Sequence, residues 1–167
     1  MIAVFIGKGV TSAFRQTVLK ILGEKISVFE ISSEQIKKPE TKPAITLIFK
    51  SDVNSISLPN SAVFLNQNKT ASISGERYLI LNSSSPADIA CAKNSGGEVI
   101  TLGLSLRDSV TFSSLTHENC VISIQRSITR FDGEKIEPCE IPCKISANDD
   151  KYAVLCANLL LLLLGHK

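Results

Sequence analysis

The stretch Met1–Gly23, MIAVFIGKGVTSAFRQTVLKILG, decides the fold. Ile2–Ile6 is apolar throughout, the pattern of a central parallel strand covered on both faces. Gly7–Ser12 is a turn of small residues. Ala13–Leu22 then sets Phe14, Val18, Ile21 and Leu22 at i, i+4, i+7 and i+8, one stripe of an amphipathic helix. Thr11 or Ser12 can cap its start and Gly23 can end it. In an α/β sheet, a turn from a strand end into a helix start is where phosphates are held.

Outward from this unit, Ile26–Ile31 reads as a second strand, giving strand, helix and strand with short connections, a right-handed βαβ unit. Ser32–Pro43 reads as a solvated loop because Pro39 and Pro43 oppose both ladder and helix. Ala44–Phe49 and Ala62–Leu65 are apolar strands, separated by a polar loop over Ser51–Asn60 and followed by another over Gln67–Arg77. Tyr78–Asn82 is a strand. Ser85-Pro86-Ala87-Asp88 is a helix start, with Ser as N-cap, Pro at the first helical position and Asp three residues after the cap. The short helix Pro86–Asn94 ends at Gly96-Gly97, and the strand Glu98–Leu102 completes a second βαβ unit.

After Gly103 the character changes. Ser109–Leu115 and Val121–Thr129 alternate in part and are joined by a turn at Thr116–Asn119, so an antiparallel hairpin with one solvated face is expected. Asp132-Gly133 is a turn signal. It leads to Ile136–Ile145, which Pro138 and Pro142 confine to a sheet edge or an extended segment. A last helix starts near Asn148 and runs to Leu164.

The 167 residues fit one domain. Hydrophobic residues at 44% and charged residues at 20% are a globular composition. A net charge of +2 without basic clustering, 5% aromatics and no Trp give no basis for nucleic-acid binding. The five cysteines, Cys91, Cys120, Cys139, Cys143 and Cys156, are odd in number. With no signal-like N-terminus, they read as reduced thiols in the cytoplasm. The Leu-rich run from Tyr152 to Leu164 is shorter than the ~20 residues a membrane helix needs. It reads as a buried core helix or a contact between subunits, through which a homo-oligomer could form.

The order of these pieces resembles the central, ATP-binding domain of the Mur ligases, the amide-forming enzymes of peptidoglycan precursor synthesis. Ile2–Gly23 stands where that family has strand, P-loop and helix. Val28-Phe29-Glu30-Ile31-Ser32-Ser33 resembles its strand ending in Glu-x-Ser-Ser. Tyr78–Asp88, YLILNSSSPAD, resembles a strand followed by Asn-x-Asp-Asp-Pro, and Glu98–Ser105, EVITLGLS, one ending in a Thr-x-Gly turn. The resemblance implies a three-layer, mostly parallel α/β sheet with the antiparallel hairpin as an extension. It covers residues 1–167 as a single Mur-ligase-central-domain-like unit, without the family's sugar-nucleotide-binding and amino-acid-binding domains.

The implied site is altered. A working P-loop needs glycines for backbone approach, a Lys for the β/γ-phosphates and a hydroxyl for magnesium. Here the loop is Gly7-Lys8-Gly9-Val10-Thr11-Ser12: Thr11 takes the Lys position, Val10 the preceding Gly position and Ser12 the hydroxyl position, with Lys8 displaced to the loop start. Gly7, Lys8, Gly9, Thr11 and Ser12 are therefore candidate phosphate contacts, and Asn82 matches the family's adenine-facing Asn. Asn82 also fits plain turn chemistry. Glu30 matches a magnesium-holding Glu, against the plainer reading of a solvated strand-end carboxylate, since one carboxylate rarely holds magnesium without substrate phosphates. Asp52 falls near the family's Asp-His pair, but Val53 stands where the His would be. Cys139 and Cys143 have only His117 and His166 to complete a zinc set, at no usual spacing.

Two functions follow from this reading: a non-catalytic Mur-ligase-like domain binding a partner protein or a small anionic ligand, or a small ATP- and Mg-dependent ligase-like enzyme or enzyme subunit using the 7–12 turn. A scaffold associating through the Leu-rich helix is a third.

Overall fold

Phe5 sits at the centre of the molecule, and its neighbours define the fold. It lies on β1 (Ile2–Ile6), between β4 (Ile45–Lys50) and β6 (Ala62–Leu65), in parallel register with Phe49 on one side and Phe64 on the other. The three rings stack, with centroids 5.1 Å and 4.6 Å apart, and Phe14 of α1 (Ser12–Gly23) meets Phe5 edge-on at 5.7 Å. The computed structural model describes residues 1–38, 42, 44–68 and 72–166.

The remaining elements are β2 (Val28–Ile31), β3 (Ile36–Lys37), β5 (Ser55–Ser57), β7 (Ser72–Ser74), β8 (Tyr78–Asn82), α2 (Pro86–Cys91), β9 (Glu98–Leu102), β10 (Val110–Leu115), β11 (Asn119–Ile124), β12 (Ile128–Thr129), β13 (Lys135–Ile136), β14 (Cys139–Lys144) and α3 (Lys151–Leu163). Ten strands form one sheet in the order β14-β11-β10-β9-β8-β6-β1-β4-β2-β3. From β10 to β2 the neighbours run parallel; β3, β11 and β14 are antiparallel to theirs. This is the mainly parallel α/β sheet with a hairpin extension that the sequence implied.

One face of the sheet carries α1 and α3, packed over Ala3, Phe5, Leu47, Phe49, Ala62, Phe64, Ile80 and Ile100. Leu159, Leu160, Leu161 and Leu163 of α3 are buried there, so its leucines serve the core of this chain. No helix among the described residues is long and apolar enough to cross a membrane. The other face, built on Val4, Ile6, Val63, Leu65, Leu79 and Leu81, is covered by Cys91 of α2 and by Ile56 and Ile73. Ile56 and Ile73 belong to a parallel pair, β5 and β7, read from sequence as polar loop. Each is Ser-Ile-Ser, too short for any periodicity to register. The short β3 likewise forms inside the expected Ser32–Pro43 loop. Pro39 and Pro43 of that loop, and residues 69–71 of the Gln67–Arg77 loop, lie outside the described residues.

Several local expectations hold. Thr11 caps α1, accepting from Phe14 N–H at 3.2 Å, and Ser85 caps α2 through Asp88 N–H. β10 and β11 form the hairpin, and β14, with Pro142, is the sheet edge. β1 and β2 are parallel but not adjacent, since β4 returns between them. Ile26 is not in β2: its N–H closes on Leu22 O at 2.8 Å, so the end of α1 draws it into the core.

Candidate functional site

The candidate site lies at the carboxyl ends of β4, β1 and β6, where the connection from β1 to β2 runs one way along the sheet and that from β4 to β6 runs the other. Such a switch point is where open α/β sheets bind ligands. Gly7 to Val10 bend out of β1 here, and their four successive N–H groups all donate to protein carbonyls. Gly7 bonds Lys50 O at 3.1 Å, Lys8 bonds Gln67 O at 3.3 Å, Gly9 bonds Asn66 O at 3.0 Å and Val10 bonds Gly7 O at 3.0 Å. Two of these bonds, from Lys8 and Gly9, tie the bend to Gln67 and Asn66 in the segment after β6.

The glycines are explained by this packing. Gly7 has φ +124°, and a Cβ there would stand 2.0 Å from Asn66 O. A Cβ on Gly9 would stand 2.4 Å from Asn66 Cγ. The Asn66 side chain donates through Nδ2 to Gly9 O at 3.1 Å and accepts through Oδ1 from Asn82 Nδ2 at 3.1 Å. Asn82 Oδ1 accepts from Ser84 N–H at 3.0 Å. Of the residues singled out in the sequence, Gly9 and Asn82 are thus brought together, bridged by Asn66.

Asp88 holds the 66–68 segment from behind. It is fully buried, and its carboxylate accepts from Gln67 N–H at 2.9 Å and Asn68 N–H at 2.8 Å. Gln67 has φ +56°, the left-handed conformation that turns successive amides towards one anion. Burial pushes the Asp88 carboxyl above its ordinary value, and the two amides pull it partly back. In the sequence Asp88 reads only as a helix-start residue. The apolar run ending at Asn66 gives no signal that the next three residues would fold onto Gly7–Gly9.

Glu30 is 3% exposed and points into the protein. Its Oε1 is 3.3 Å from Arg15 Nε, an ion pair off the hydrogen-bonding direction, and its Oε2 accepts from Gln35 Nε2 at 3.0 Å. Arg15 also donates to Glu34 Oε2 at 2.6 Å and Ser32 Oγ at 3.3 Å. Lys8, Thr11, Ser12 and Asp52 are exposed. Among the described residues, no group of three or more His, Cys, Asp or Glu side chains is placed to hold a metal.

Between the start of α1 and the ends of β2 and β4 is a cleft of about 70 Å³, lined by Thr11, Ser12, Arg15, Ser32, Ser33 and Lys50 among others. Small-molecule sites are typically ~300–1,000 Å³. A nucleotide–magnesium complex does not fit the residues as they stand: the amides of Gly7 to Val10 are bonded, Glu30 is paired with Arg15, and the cleft has room for a few atoms only.

The whole architecture has counterparts among solved structures. A MurF ligase from Thermotoga maritima in complex with ADP superposes over 100% of this chain and 46% of its own, with a TM-score of 0.55 and 8% identity. This chain has a Mur-ligase-like fold. A UDP-N-acetylmuramoyl-L-alanyl-D-glutamate--2,6-diaminopimelate ligase matches 98% of this chain and 44% of its own, with a TM-score of 0.53 and 8% identity. The chain spans less than half the length of either ligase. No protein-family model matches the sequence, and no curated protein does.

Proposed function

We propose that the chain, as a single domain over residues 1–167, is a non-catalytic Mur-ligase-like module of the cytoplasm that binds a partner protein or a small anionic ligand. The observation that carries this reading is the filled loop: the N–H groups of Gly7, Lys8, Gly9 and Val10 are bonded to protein carbonyls. A triphosphate would have to break these bonds and expel Asn66 from its contact with Gly9. Thr11, at the position of the catalytic Lys, supports the same reading, since phosphoryl transfer depends on charge aimed at the γ-phosphate. The cleft beside Ser12 and Lys50 has the size for a single small oxyanion. The exposed Leu104 and Leu106, 74% and 77% accessible, are the best-marked surface for a protein. A homo-oligomer seated on α3 would have only the partly exposed Leu162 and Leu164 of its leucines to use.

The alternative, an ATP- and Mg-dependent ligase-like enzyme or subunit, is favoured by one feature, the placement of the cleft and glycine turn at the switch point of the sheet. Titration of the purified chain with ATP–Mg²⁺ and with inorganic phosphate, read by thermal shift, separates the two. Ligand at ~100 times its dissociation constant stabilises by roughly 2.7 kcal/mol. The proposal expects no shift with millimolar ATP–Mg²⁺; a saturable shift with ATP–Mg²⁺ overturns it. Recovery of the chain from its native cell as a monomer without a partner, together with no shift from phosphate, also counts against it.

A further inference from the structure

Cys120 and Cys143 face one another across the outermost antiparallel pair of the sheet, in direct register on β11 and β14. In the same ladder Ile145 N–H donates to Glu118 O, which makes Glu118 and Ile145 a hydrogen-bonded pair. Antiparallel pairs alternate, so Cys120 and Cys143, two residues along, form another such pair, with Cα atoms ~5.5 Å apart. A disulfide spans Cα separations of roughly 4.4–6.8 Å. Pro142 then falls at a non-hydrogen-bonded position opposite Val121, where its missing N–H faces the open edge and costs no ladder bond.

Register partners point to the same face. Cys120 is 2% exposed inside the main core, and Cys143 packs against that core while remaining partly accessible. Cys143 Sγ donates to Ile141 O at 3.6 Å. Cys143 Sγ also lies 3.4 Å from Asn158 Oδ1 of α3. All five cysteines are free. The other three lack this arrangement: Cys139 stands opposite Ile124, Cys91 lies on the other face of the sheet and Cys156 is buried within α3.

We propose that Cys120 and Cys143 are a redox site, closing on exposure to hydrogen peroxide into a disulfide that staples edge strand β14 to β11. Peroxide reaches Cys143 first, because that thiol is the accessible one. The Cys143 thiolate attacks one peroxide oxygen, the O–O bond breaks and the departing hydroxide takes the thiol's proton to leave as water. Cys143 then carries a sulfenic acid. The Cys120 sulfur attacks the Cys143 sulfur, the S–O bond breaks, and the hydroxide leaves with the Cys120 proton as a second water. Two thiols are oxidised by two electrons, and one hydrogen peroxide is reduced to two waters.

Burial pushes the Cys120 thiol up to about 11, with the Cys143 sulfur adding to the effect. Burial also raises Cys143, and the Lys25 ammonium pulls it partly back. Closure therefore speeds up as the solution is made alkaline, because the thiolate is the attacking form.

The test uses the full chain carrying Cys139→Ser, so that the exposed thiol cannot join two copies. Reduced protein is treated with hydrogen peroxide at several pH values, blocked with iodoacetamide, and mapped by mass spectrometry. The expected product has lost about 2 Da, contains a peptide pair joining Cys120 to Cys143, forms faster at higher pH and melts roughly 5–10 °C higher. Adding Cys143→Ser abolishes all of these changes. The proposal is overturned if Cys120 stays alkylatable while Cys143 oxidises to sulfinic acid, if the bond joins another pair, or if the cross-linked product melts no higher than the reduced one.

Discussion

Asn66 and Gly9 hold each other by two hydrogen bonds: Gly9 N–H donates to Asn66 O at 3.0 Å, and Asn66 Nδ2 donates to Gly9 O at 3.1 Å. The bend from β1 into α1 is thereby fastened to the segment after β6.

Gly9→Ala places a methyl 2.4 Å from Asn66 Cγ, so the asparagine must move and the paired bonds loosen. The expected loss is about 1–3 kcal/mol, or several degrees in Tm for a chain of this size. Gly23→Ala meets nothing within 4 Å and ends a helix, so it should be neutral or stabilising by up to ~1 kcal/mol. Urea denaturation of the two variants measures the contrast. Equal stabilities would mean that Asn66 does not hold the loop.

Asp88→Asn keeps the shape but replaces one of the two acceptors for Gln67 and Asn68 by a donor. About 1–3 kcal/mol should be lost at pH 7, the cost of an orphaned buried N–H. The pH dependence has a definite sign. Burial raises the folded-state value of Asp88 above 3.8, so the folded chain binds this proton more tightly than the unfolded chain. The stabilisation linked to that proton is fully present below pH 3.8 and is lost as pH rises through the folded value. The stability of wild type minus that of Asp88→Asn should therefore grow as the solution is acidified through that window, read by denaturant midpoints at each pH.

Glu30→Gln removes the charge that Arg15 faces. Both side chains are largely enclosed, 4% and 19% exposed. The variant should lose about 1–3 kcal/mol in buffers with and without magnesium alike. A wild-type Tm that rises with millimolar Mg²⁺, and a variant that has lost this rise, would return Glu30 to the role of metal ligand.

Leu104→Ser with Leu106→Ser should leave the denaturation midpoint within about 0.5 kcal/mol of wild type, since both side chains are exposed. If a partner co-purifies with the wild-type chain, the double variant should release it. A partner retained by the variant docks elsewhere.

Much of the scaffold was legible because it rests on short-range pattern. The unbroken apolar run of β1, the stripe Phe14, Val18 and Leu22, the cap at Ser85 and the edge position of Pro142 each follow from neighbours in sequence. The site was not. Asn66 and Gly9 are 57 positions apart, and Asp88 reaches Gln67 across 21; no local rule links them. Glu30 was correctly placed at a strand end, but its partner Arg15 lies on the exposed-looking side of α1 in the sequence pattern. β5 and β7 each present a single isoleucine, and only the fold shows that Ile56 and Ile73 finish the second face.

α3 supplies nine buried residues, from Ala153 to Leu163, to the face that also holds the stacked phenylalanines. These residues are the last of the core to be synthesised. At roughly 5–20 residues per second, ribosomes would finish every strand of the sheet before the helix that shields it emerges. A nascent chain stalled short of Asp150 would have this face covered by α1 alone, leaving apolar surface of the kind that chaperones grip. Closure of this face must await the emergence of α3.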